Sequence, residues 1–467
     1  MTIARKGLIA AAIVIIAGAS ALAFNRLRPD LALRVATAVV AHNVCDKVFV
    51  SNLDPQTSFD EVTARDGVRL LRPLLRFSVD RATSAVDASL LGTLTSHAAF
   101  YNAQGCVLYQ AGVAPYLLRS DIDALRKPLK PPLLGDIAGP RVVTPADPRL
   151  VSALDHAFEE RSGAPLRRTK AIVAVKDGAV IAERYADGIR IDTPLPGYSL
   201  TKSVINALIG VMTRKGIVTP SFPAPIAEWH GHGDPRSTIE VEHLMRMTTG
   251  LALDETDSGF DPSSRMVYLH NDMSAFAIQA RLIAPPGTRW AYSSPSTQIL
   301  AKIIRDGTGG PEKSLRFAWR ELFNPLGMTT VTLEFDGVGT LQGSSYMSAS
   351  ARDWARFGLL YLNDGVLGGT RFLQGEWVGF SASATPGTDY GAGFWTLRGH
   401  GPMANFLASK GVPRNAFLAS GDLGQRIVIL PTQGLVIVRL GDATDPTGDI
   451  AGLAQLITEV IAAIDKQ

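Results

Sequence analysis

PLPGYSLTKSVINALIGVMTRKG, residues 194–216, places a serine and a lysine at the start of a long apolar run. Ser199 and Lys202 are three residues apart, so a helix would carry both side chains on one face. The positions that follow are apolar nearly all round, which is typical of a helix buried inside a domain. A lysine desolvated near the start of such a helix has a lowered pKa and can accept a proton from a neighbouring serine.

The pair has a plain structural alternative. Chance alone gives about one Ser-x-x-Lys in a chain of this length, so the motif is weak by itself. Ser199 would also serve as an ordinary N-cap. If it is a nucleophile, the free N–H groups and positive dipole at the helix start would favour a developing oxyanion.

Two further stretches accompany the pair. Tyr292-Ser293-Ser294 follows a Pro-Pro-Gly turn and precedes an apolar helix. A tyrosine at such a junction can reach into a cleft, and a nearby ammonium would favour its ionised form as a general base. Ala419-Ser420-Gly421 lies in a predicted strand, where small residues let a substrate approach the edge. Each stretch alone also fits a packing tyrosine or a strand end.

In order and spacing, the three stretches resemble the motifs of the serine β-lactamase and penicillin-binding-protein superfamily. Ser199-Leu200-Thr201-Lys202 matches the first motif, Tyr292-Ser293-Ser294 the second, and Ala419-Ser420-Gly421 with Gly424-Gln425 the third. The chain is most similar to the class C β-lactamase-related hydrolases, which include esterases and 6-aminohexanoate-dimer hydrolase. The resemblance runs from about Pro148 to the C-terminus and includes HLMRMTTGL (243–251), PLGM (325–328), SARDWARFGLLYLNDG (350–365) and YGAGFW (390–395).

The resemblance implies a fold and a set of roles. The fold is α/β (α+β), β-lactamase/transpeptidase-like, with a central antiparallel sheet flanked by helices and an all-helical subdomain. Ser199 would be the acylated nucleophile, while Lys202 and Tyr292 would share the general base and acid work. The backbone N–H groups of Ser199 and Asp422 would form the oxyanion hole, and no metal or organic cofactor is implied. The other residues implied to bind substrate are Gly421, Ser420 and Ser294.

Two departures from the family pattern argue against efficient β-lactam hydrolysis. Penicillin-recognising members carry Lys-Thr-Gly as the third motif, whose lysine attracts the substrate carboxylate. Ala419-Ser420-Gly421 has no cation, although Arg414 or Arg426 could compensate. Ser294 stands where β-lactamases have an asparagine that holds a substrate amide. An esterase or short-amide hydrolase fits better, while Glu255-Thr256 lacks the aromatic residue expected of a dimer hydrolase.

The strand patterns independently predict how the sheet is assembled. KAIVAVKDGAVIAERYA (170–186) is two β-rich runs joined at Asp177-Gly178, which indicates a hairpin. Further strand patterns stand near the end of the chain, in NAFLAS, GQRIVIL and GLVIVRLG, before a closing amphipathic helix. The intervening sequence is mostly helical. The pattern predicts one antiparallel sheet built from both ends of this region, with a helical subdomain beside it.

The chain divides into four predicted parts. Residues 1–30 contain a basic start, an uncharged stretch from Gly7 to Phe24 and the small-residue site Ala21-Leu22-Ala23. These are the parts of a cleaved export signal or an uncleaved membrane anchor, of which the anchor is preferred. Residues 31–126 form an N-terminal extension whose role is not readable. Residues 127–148, with six prolines, form an extended linker or wrapping arm, and residues 149–467 form the hydrolase domain.

The first part sets the expected location. An anchored protein would lie on the periplasmic side of the inner membrane, and a cleaved one would be periplasmic or secreted. In that compartment Cys45 and Cys106 form either one disulfide or two buried thiols, and both interpretations stay open. The cysteines have no clustered histidines, so a metal site is not expected. With 46 Lys plus Arg against 43 Asp plus Glu, the net charge of +3 and the lack of a basic tract argue against nucleic acid.

The leading hypothesis is a serine hydrolase that cleaves a small-molecule ester or amide through an acyl-enzyme on Ser199. The alternative is a D,D-peptidase or β-lactamase acting on peptidoglycan-like or β-lactam substrates. A third alternative, from a different class, is a binding or sensor domain that does not turn substrate over. The sequence does not specify the oligomeric state or the physiological substrate.

Overall fold

The central sheet is antiparallel and draws its strands from both ends of the hydrolase region. In a computed structural model, which describes residues 28–109, 113–127, 130–256 and 258–465, its strand order is β12–β13–β14–β15–β5–β6. The strands in chain order are β5 (Thr169–Lys176), β6 (Ala179–Tyr185), β12 (Trp395–Thr396), β13 (Phe417–Gly421), β14 (Gln425–Leu430) and β15 (Leu435–Gly441). The predicted sheet assembly is confirmed.

The hairpin between β5 and β6 forms where the sequence predicts it. Asp177 has φ of 49° and Gly178 has φ of 85°, the two left-handed positions that a tight two-residue hairpin turn requires. Along β5 the side chains alternate between two hydrophobic cores: Ala171, Val173 and Val175 face one, while Ile172 and Ala174 face the other. The sheet is therefore covered on both faces.

Helices cover the two faces of the sheet. One face packs against three helices, α4 (Pro148–Phe158), α14 (Pro402–Ser409) and α15 (Ile450–Ile464). The other packs against α5 (Leu200–Arg214) and α12 (Ala351–Leu362). Beside α5 lies the helical subdomain, whose helices are α6 (Val241–Met245), α7 (Pro262–Leu269), α8 (Met273–Ile278), α9 (Ser294–Thr308), α10 (Pro311–Ala318) and α11 (Asn324–Leu326).

Short elements connect these layers. β7 (Leu195–Pro196), β9 (Met347–Ala349) and β8 (Thr332–Leu333) form a small sheet in that order just before α5. Outside it lie the hairpin β10 (Val366–Leu367) and β11 (Thr370–Arg371) and the helix α13 (Trp377–Ala382). The small sheet holds the segment that leads into the Ser199–Lys202 motif at the start of α5.

The N-terminal extension has a core of its own. A long helix, α1 (Pro29–Cys45), continues into a π-helical turn (Asp46–Val50) and is followed by α2 (Pro55–Thr63). α1 packs on a four-stranded antiparallel sheet of β1 (Leu75–Asp80), β2 (Ala85–Leu90), β3 (Leu94–Tyr101) and β4 (Gly105–Tyr109). Cys45 and Cys106 form a disulfide between α1 and β4, so the disulfide alternative is confirmed.

The extension is docked on the hydrolase region. α1 contacts α7 in the helical subdomain, and the π-helical turn contacts β7. Between the two regions lie α3 (Ile122–Arg126) and a stretch, 130–147, without helix or strand that bonds to the edge strand β6 through Ile137 and Val143. The boundaries between the four predicted parts stay predictions.

The predicted anchor or export segment, residues 1–30, lies outside the described residues except for its last three. In the ranges that the structure does describe, no helix has the length and apolar character needed to cross a membrane.

Candidate active site

Ser199 lies at the N-terminal end of α5, but its hydroxyl does not cap the helix. The hydroxyl oxygen instead accepts a hydrogen bond of 2.9 Å from Lys202 Nζ. Tyr198, directly before it, has φ of 46°, a left-handed conformation that costs a non-glycine residue about 1 kcal/mol. The chain thus makes a strained turn into the helix at this serine, which is typical of functional positions.

Lys202 is almost fully enclosed, with 3% of its surface exposed. Its ammonium donates to Ser199 Oγ, to Ser294 Oγ at 2.9 Å and to the Ser344 carbonyl at 2.8 Å. The ammonium also lies 4.9 Å from the centre of the Tyr292 ring. The buried Lys202 Nζ therefore connects the first motif with the second, and Ser294 helps to hold the lysine in place.

Tyr292 is held in an aromatic group. Its ring stacks on Trp395 at 5.8 Å between centroids and meets Tyr390 edge-on at 5.8 Å. The Tyr292 carbonyl accepts from the backbone N–H of Glu255, and Glu255 Oε2 accepts from Ser294 N at 2.6 Å. Glu255, which lies in a different loop, thus holds the second motif in place through two hydrogen bonds. Sequence reasoning missed this role of Glu255 because Glu255 and Ser294 are 39 positions apart and no local pattern links them.

The third motif lies on β13 at the edge of the central sheet. The neighbouring strand β12 pairs only with Phe417 and Leu418, so Ala419, Ser420 and Gly421 extend beyond it. A side chain on Gly421 would meet the Gly197 carbonyl oxygen at 2.2 Å. Glycine therefore allows the end of β13 to approach the segment that carries Ser199.

Asp422 follows directly, at the surface. Its carboxylate is 62% exposed and lies 3.9 Å from Nη2 of Arg65, a residue of the N-terminal extension. Sequence reasoning missed Arg65 because the extension carries no recognisable motif. The structure brings Ser199, Tyr292 and Ser294 together around Lys202. Gly421 approaches the segment before Ser199, and Ser420 and Asp422 are its neighbours in the chain.

Neither arginine considered as a substitute for the third-motif lysine is arranged for that role. Arg414 donates to the carbonyls of Leu397 and Gly399, in the loop after β12. Arg426 is buried and donates to the carbonyls of Gly421 and Thr447 at 2.6 and 2.9 Å. Burial lowers the pKa of Arg426 to about 10. Both guanidinium groups thus donate to backbone carbonyls, and Arg414 also donates to Asn405 Oδ1 at 3.0 Å.

The site is built from hydroxyl, phenol, amine and backbone groups. Across the described ranges, no group of three or more His, Cys, Asp or Glu residues is placed to hold a metal ion. The chemistry that these groups can perform is nucleophilic attack by a serine whose proton passes to a buried amine or phenol.

A family comparison agrees with this arrangement. Residues 154–462 match the model of the Beta-lactamase family. Because the match covers well over half of the chain, the protein belongs to this family. The superfamily resemblance and the fold are both confirmed, and the chain is a hydrolase of the β-lactamase fold.

Individual relatives agree with the family. The 6-aminohexanoate-dimer hydrolase of Paenarthrobacter ureafaciens is 27% identical over 302 residues, which are 60% of this chain and 74% of the relative. A penicillin-binding-protein homologue from Caulobacter crescentus has a TM-score of 0.53 at 16% identity, covering 69% of this chain and 99% of its own. A family VIII carboxylesterase has a TM-score of 0.52 at 15% identity, again covering 69% and 99%. At these identities, the two solved structures show the fold alone.

Proposed function

We propose that this protein is a serine hydrolase that cleaves a small ester or amide through an acyl-enzyme on Ser199. The observation that carries the proposal is the 2.9 Å hydrogen bond from Lys202 Nζ to Ser199 Oγ, made by a buried amine. A nucleophile within hydrogen-bond reach of its base is the geometry that activation of a serine requires. The ordinary N-cap alternative is disfavoured because the hydroxyl makes no capping bond.

In the proposed reaction, Lys202 in its neutral form takes the Ser199 proton as Oγ attacks the carbonyl carbon. The oxyanion is stabilised by the backbone N–H groups of Ser199 and Asp422, at the positive end of α5. Tyr292 and Lys202 return the proton to the leaving alcohol or amine, which departs as the acyl-enzyme forms. Water then attacks the acyl carbon and gives up a proton to one of these two groups acting as general base. The acyl–Oγ bond breaks, the carboxylic acid leaves, and the proton returns to Ser199 Oγ.

Three observations support the preferred substrate class. The stacked rings of Tyr292 and Trp395, which are both partly exposed, favour a small apolar portion on one side of the scissile bond. The third motif has no lysine for a β-lactam carboxylate. The names of two relatives, a dimer hydrolase and a carboxylesterase, support an amide or ester substrate.

We also propose that the protein acts outside the cytoplasm, exported and anchored through residues 1–30 or released if they are cleaved. The buried Cys45–Cys106 disulfide supports this location, because such bonds persist in oxidising compartments. A protease-protection assay on spheroplasts, with a C-terminal epitope, would test it. Protection from added protease would contradict export.

Two active-site probes test the nucleophile and the alternative functions. The purified protein is treated with a fluorophosphonate and with a fluorescent penicillin, and wild type is compared with Ser199→Ala. The matched control is Ser203→Ala, four residues along the same helix, whose hydroxyl donates to the Gly393 carbonyl. We expect fluorophosphonate labelling in wild type and the control, and none in Ser199→Ala.

The remaining outcomes separate the alternatives. Penicillin labelling that depends on Ser199 would indicate the D,D-peptidase or β-lactamase function. Labelling without turnover of p-nitrophenyl butyrate would indicate a sensor. A folded wild-type protein that neither probe labels would overturn the proposed mechanism.

A further inference from the structure

The N-terminal extension brings one arginine to the edge of the proposed active site. Arg65 follows α2, and its guanidinium carbon lies 4.8 Å from the centre of the Tyr198 ring. Its Nη2 lies 3.9 Å from Asp422 Oδ2. Tyr198 directly precedes Ser199, and Asp422 directly follows Gly421. The positive charge therefore lies beside both backbone segments that supply the proposed oxyanion hole.

Some polar groups of Arg65 and Tyr198 have no hydrogen-bond partner in the part of the chain that the structure describes. Arg65 Nε, Arg65 Nη2 and the Tyr198 hydroxyl are buried and make no hydrogen bond to any residue that the structure describes. The Asp422 carboxylate, at 3.9 Å, is too distant for a hydrogen bond. A buried polar group without a partner costs about 1–3 kcal/mol. Arg65 and Tyr198, whose guanidinium and ring are in contact, carry these three groups and thus have room for an acceptor that the described residues do not supply.

The charge on Arg65 persists although only 14% of its side chain is exposed. Burial lowers the pKa of Arg65, but Tyr198, Asp422, Tyr268 and Tyr346 raise it, and the net pKa lies above the ordinary value. A guanidinium offers a planar pair of N–H donors that matches the two oxygens of a carboxylate. The group is therefore suited to an anionic ligand with two acceptor atoms.

We propose that Arg65, together with the Tyr198 hydroxyl, binds a carboxylate of the substrate and makes the enzyme selective for acyl donors that carry one. Arg65 contacts Tyr198, the residue before Ser199, and the side chain of Asp422, and Ser199 and Asp422 supply the proposed oxyanion donors. The bound carboxylate would therefore be a few bonds from the scissile carbonyl. The extension would thus supply a specificity residue to a site whose chemistry belongs to the hydrolase region. This inference rests on the proposed function.

Two matched substrates test the inference. Mono-p-nitrophenyl glutarate carries a free carboxylate, and its methyl ester, p-nitrophenyl methyl glutarate, has nearly the same size without the charge. The quantity measured is the ratio of kcat/KM for the charged substrate to kcat/KM for the neutral one. The two substrates have the same leaving group, so an effect of Arg65 on the chemical step alone would change both kcat/KM values equally and leave the ratio unchanged. A contact between Arg65 and the substrate carboxylate would change the ratio.

Four variants complete the test. Arg65→Gln removes the charge, and Arg65→Lys keeps it without the planar fork. Asp422→Asn removes the carboxylate that competes for Arg65 and preserves the backbone N–H. The matched control is Arg69→Gln, a neighbouring exposed arginine of the extension that lies 3.8 Å from Asp66.

We expect a wild-type ratio above one that falls about tenfold or more in Arg65→Gln, falls less in Arg65→Lys and rises in Asp422→Asn. Arg69→Gln should keep the wild-type ratio. A wild-type ratio of one or less would overturn the inference, even if Arg65→Gln fails to fold. An unchanged ratio in folded Arg65→Gln would overturn it too, since Arg65 would then act on both substrates alike. Absence of Ser199-dependent hydrolysis of the neutral ester would instead contradict the proposed function.

Discussion

At the scale of single residues, the structure turns a weak motif into a specific arrangement. Ser-x-x-Lys spacing alone predicts only that two side chains share a helix face. The structure adds that Lys202 is buried and that its three partners are two hydroxyls and one carbonyl. Ser199 belongs to the same motif, but Ser294 and Ser344 are 92 and 142 residues from Lys202, so the motif could not show that they hold its side chain.

Lys202→Met should abolish turnover without unfolding the protein. The change removes the proposed base while filling a similar volume, and loss of general base catalysis lowers rates by about 10²–10⁴. The measurement is kcat/KM on p-nitrophenyl butyrate. Lys215→Met, at the other end of α5, removes a lysine paired with Glu321 and should retain activity. A Lys202→Met variant within threefold of wild type would rule out this lysine as the base.

Asp46 should make the folded state less stable as pH rises. Burial, chiefly, raises its pKa from 3.8 to about 7, with Glu334 raising it further and His42 opposing. Between these values the folded state holds a proton that the unfolded state has released. The free energy of unfolding should therefore fall as pH rises from about 4 to about 7, by up to about 1.4 kcal/mol per pH unit from this group.

Asp46→Asn isolates this effect. Relative to wild type, its free energy of unfolding should increase progressively over that pH window, as measured by urea denaturation at several pH values. Asp66→Asn, at an exposed position of the extension, should show a flat difference. Parallel stability curves for wild type and Asp46→Asn would contradict the raised pKa.

At the scale of elements, the sequence predicted the turns and strands that depend on neighbouring residues. The Asp177-Gly178 turn and the strands β5, β6, β13, β14 and β15 follow from turn residues and apolar runs. The four-stranded sheet of the extension was not predicted, because β2 and β3 alternate buried and exposed positions only irregularly. The disulfide was one of two open alternatives, since pairing depends on where α1 docks on β4.

Loss of the disulfide should destabilise the extension. Cys45 and Cys106 are 61 residues apart, and closing a loop of this length restricts the unfolded chain by about 4 kcal/mol in the chain-entropy treatment. The double variant Cys45→Ala/Cys106→Ala should lower the free energy of unfolding by about 2–5 kcal/mol. Denaturation of the oxidised wild type and the variant measures this, with reduced wild type as control. An equal stability in all three would contradict it.

At the scale of the whole molecule, the extension and the hydrolase region share a buried ionic cluster. Lys47 of the extension donates to Glu61 and to Asp442 at 2.7 Å each, and Lys170 lies 3.2 Å from Asp442. Burial raises the pKa of Asp442, but Lys47 and Lys170 lower it well below its ordinary value. The carboxylate is thus kept charged by one lysine from each region.

Lys47→Met should weaken this junction. Only 2% of the Lys47 side chain is exposed, and removing one partner of a buried ion pair costs about 3–5 kcal/mol because a charge is left uncompensated. The measurement is the free energy of unfolding by denaturant. Lys127→Met, at an exposed position, should change it by less than about 0.5 kcal/mol. A Lys47→Met variant as stable as this control would show that the cluster does not hold the two regions together.

The sequence by itself determined the family, the sheet assembled from both ends of the hydrolase region and the residues that form the candidate site. It could do so because the turns, the strand patterns and each of the three motifs are properties of short segments. Only the tertiary structure decided that Glu255 braces the second motif, that Arg414 and Arg426 are tied to backbone carbonyls and that Arg65 reaches the site. These roles depend on distances between residues far apart in the chain, which packing alone sets.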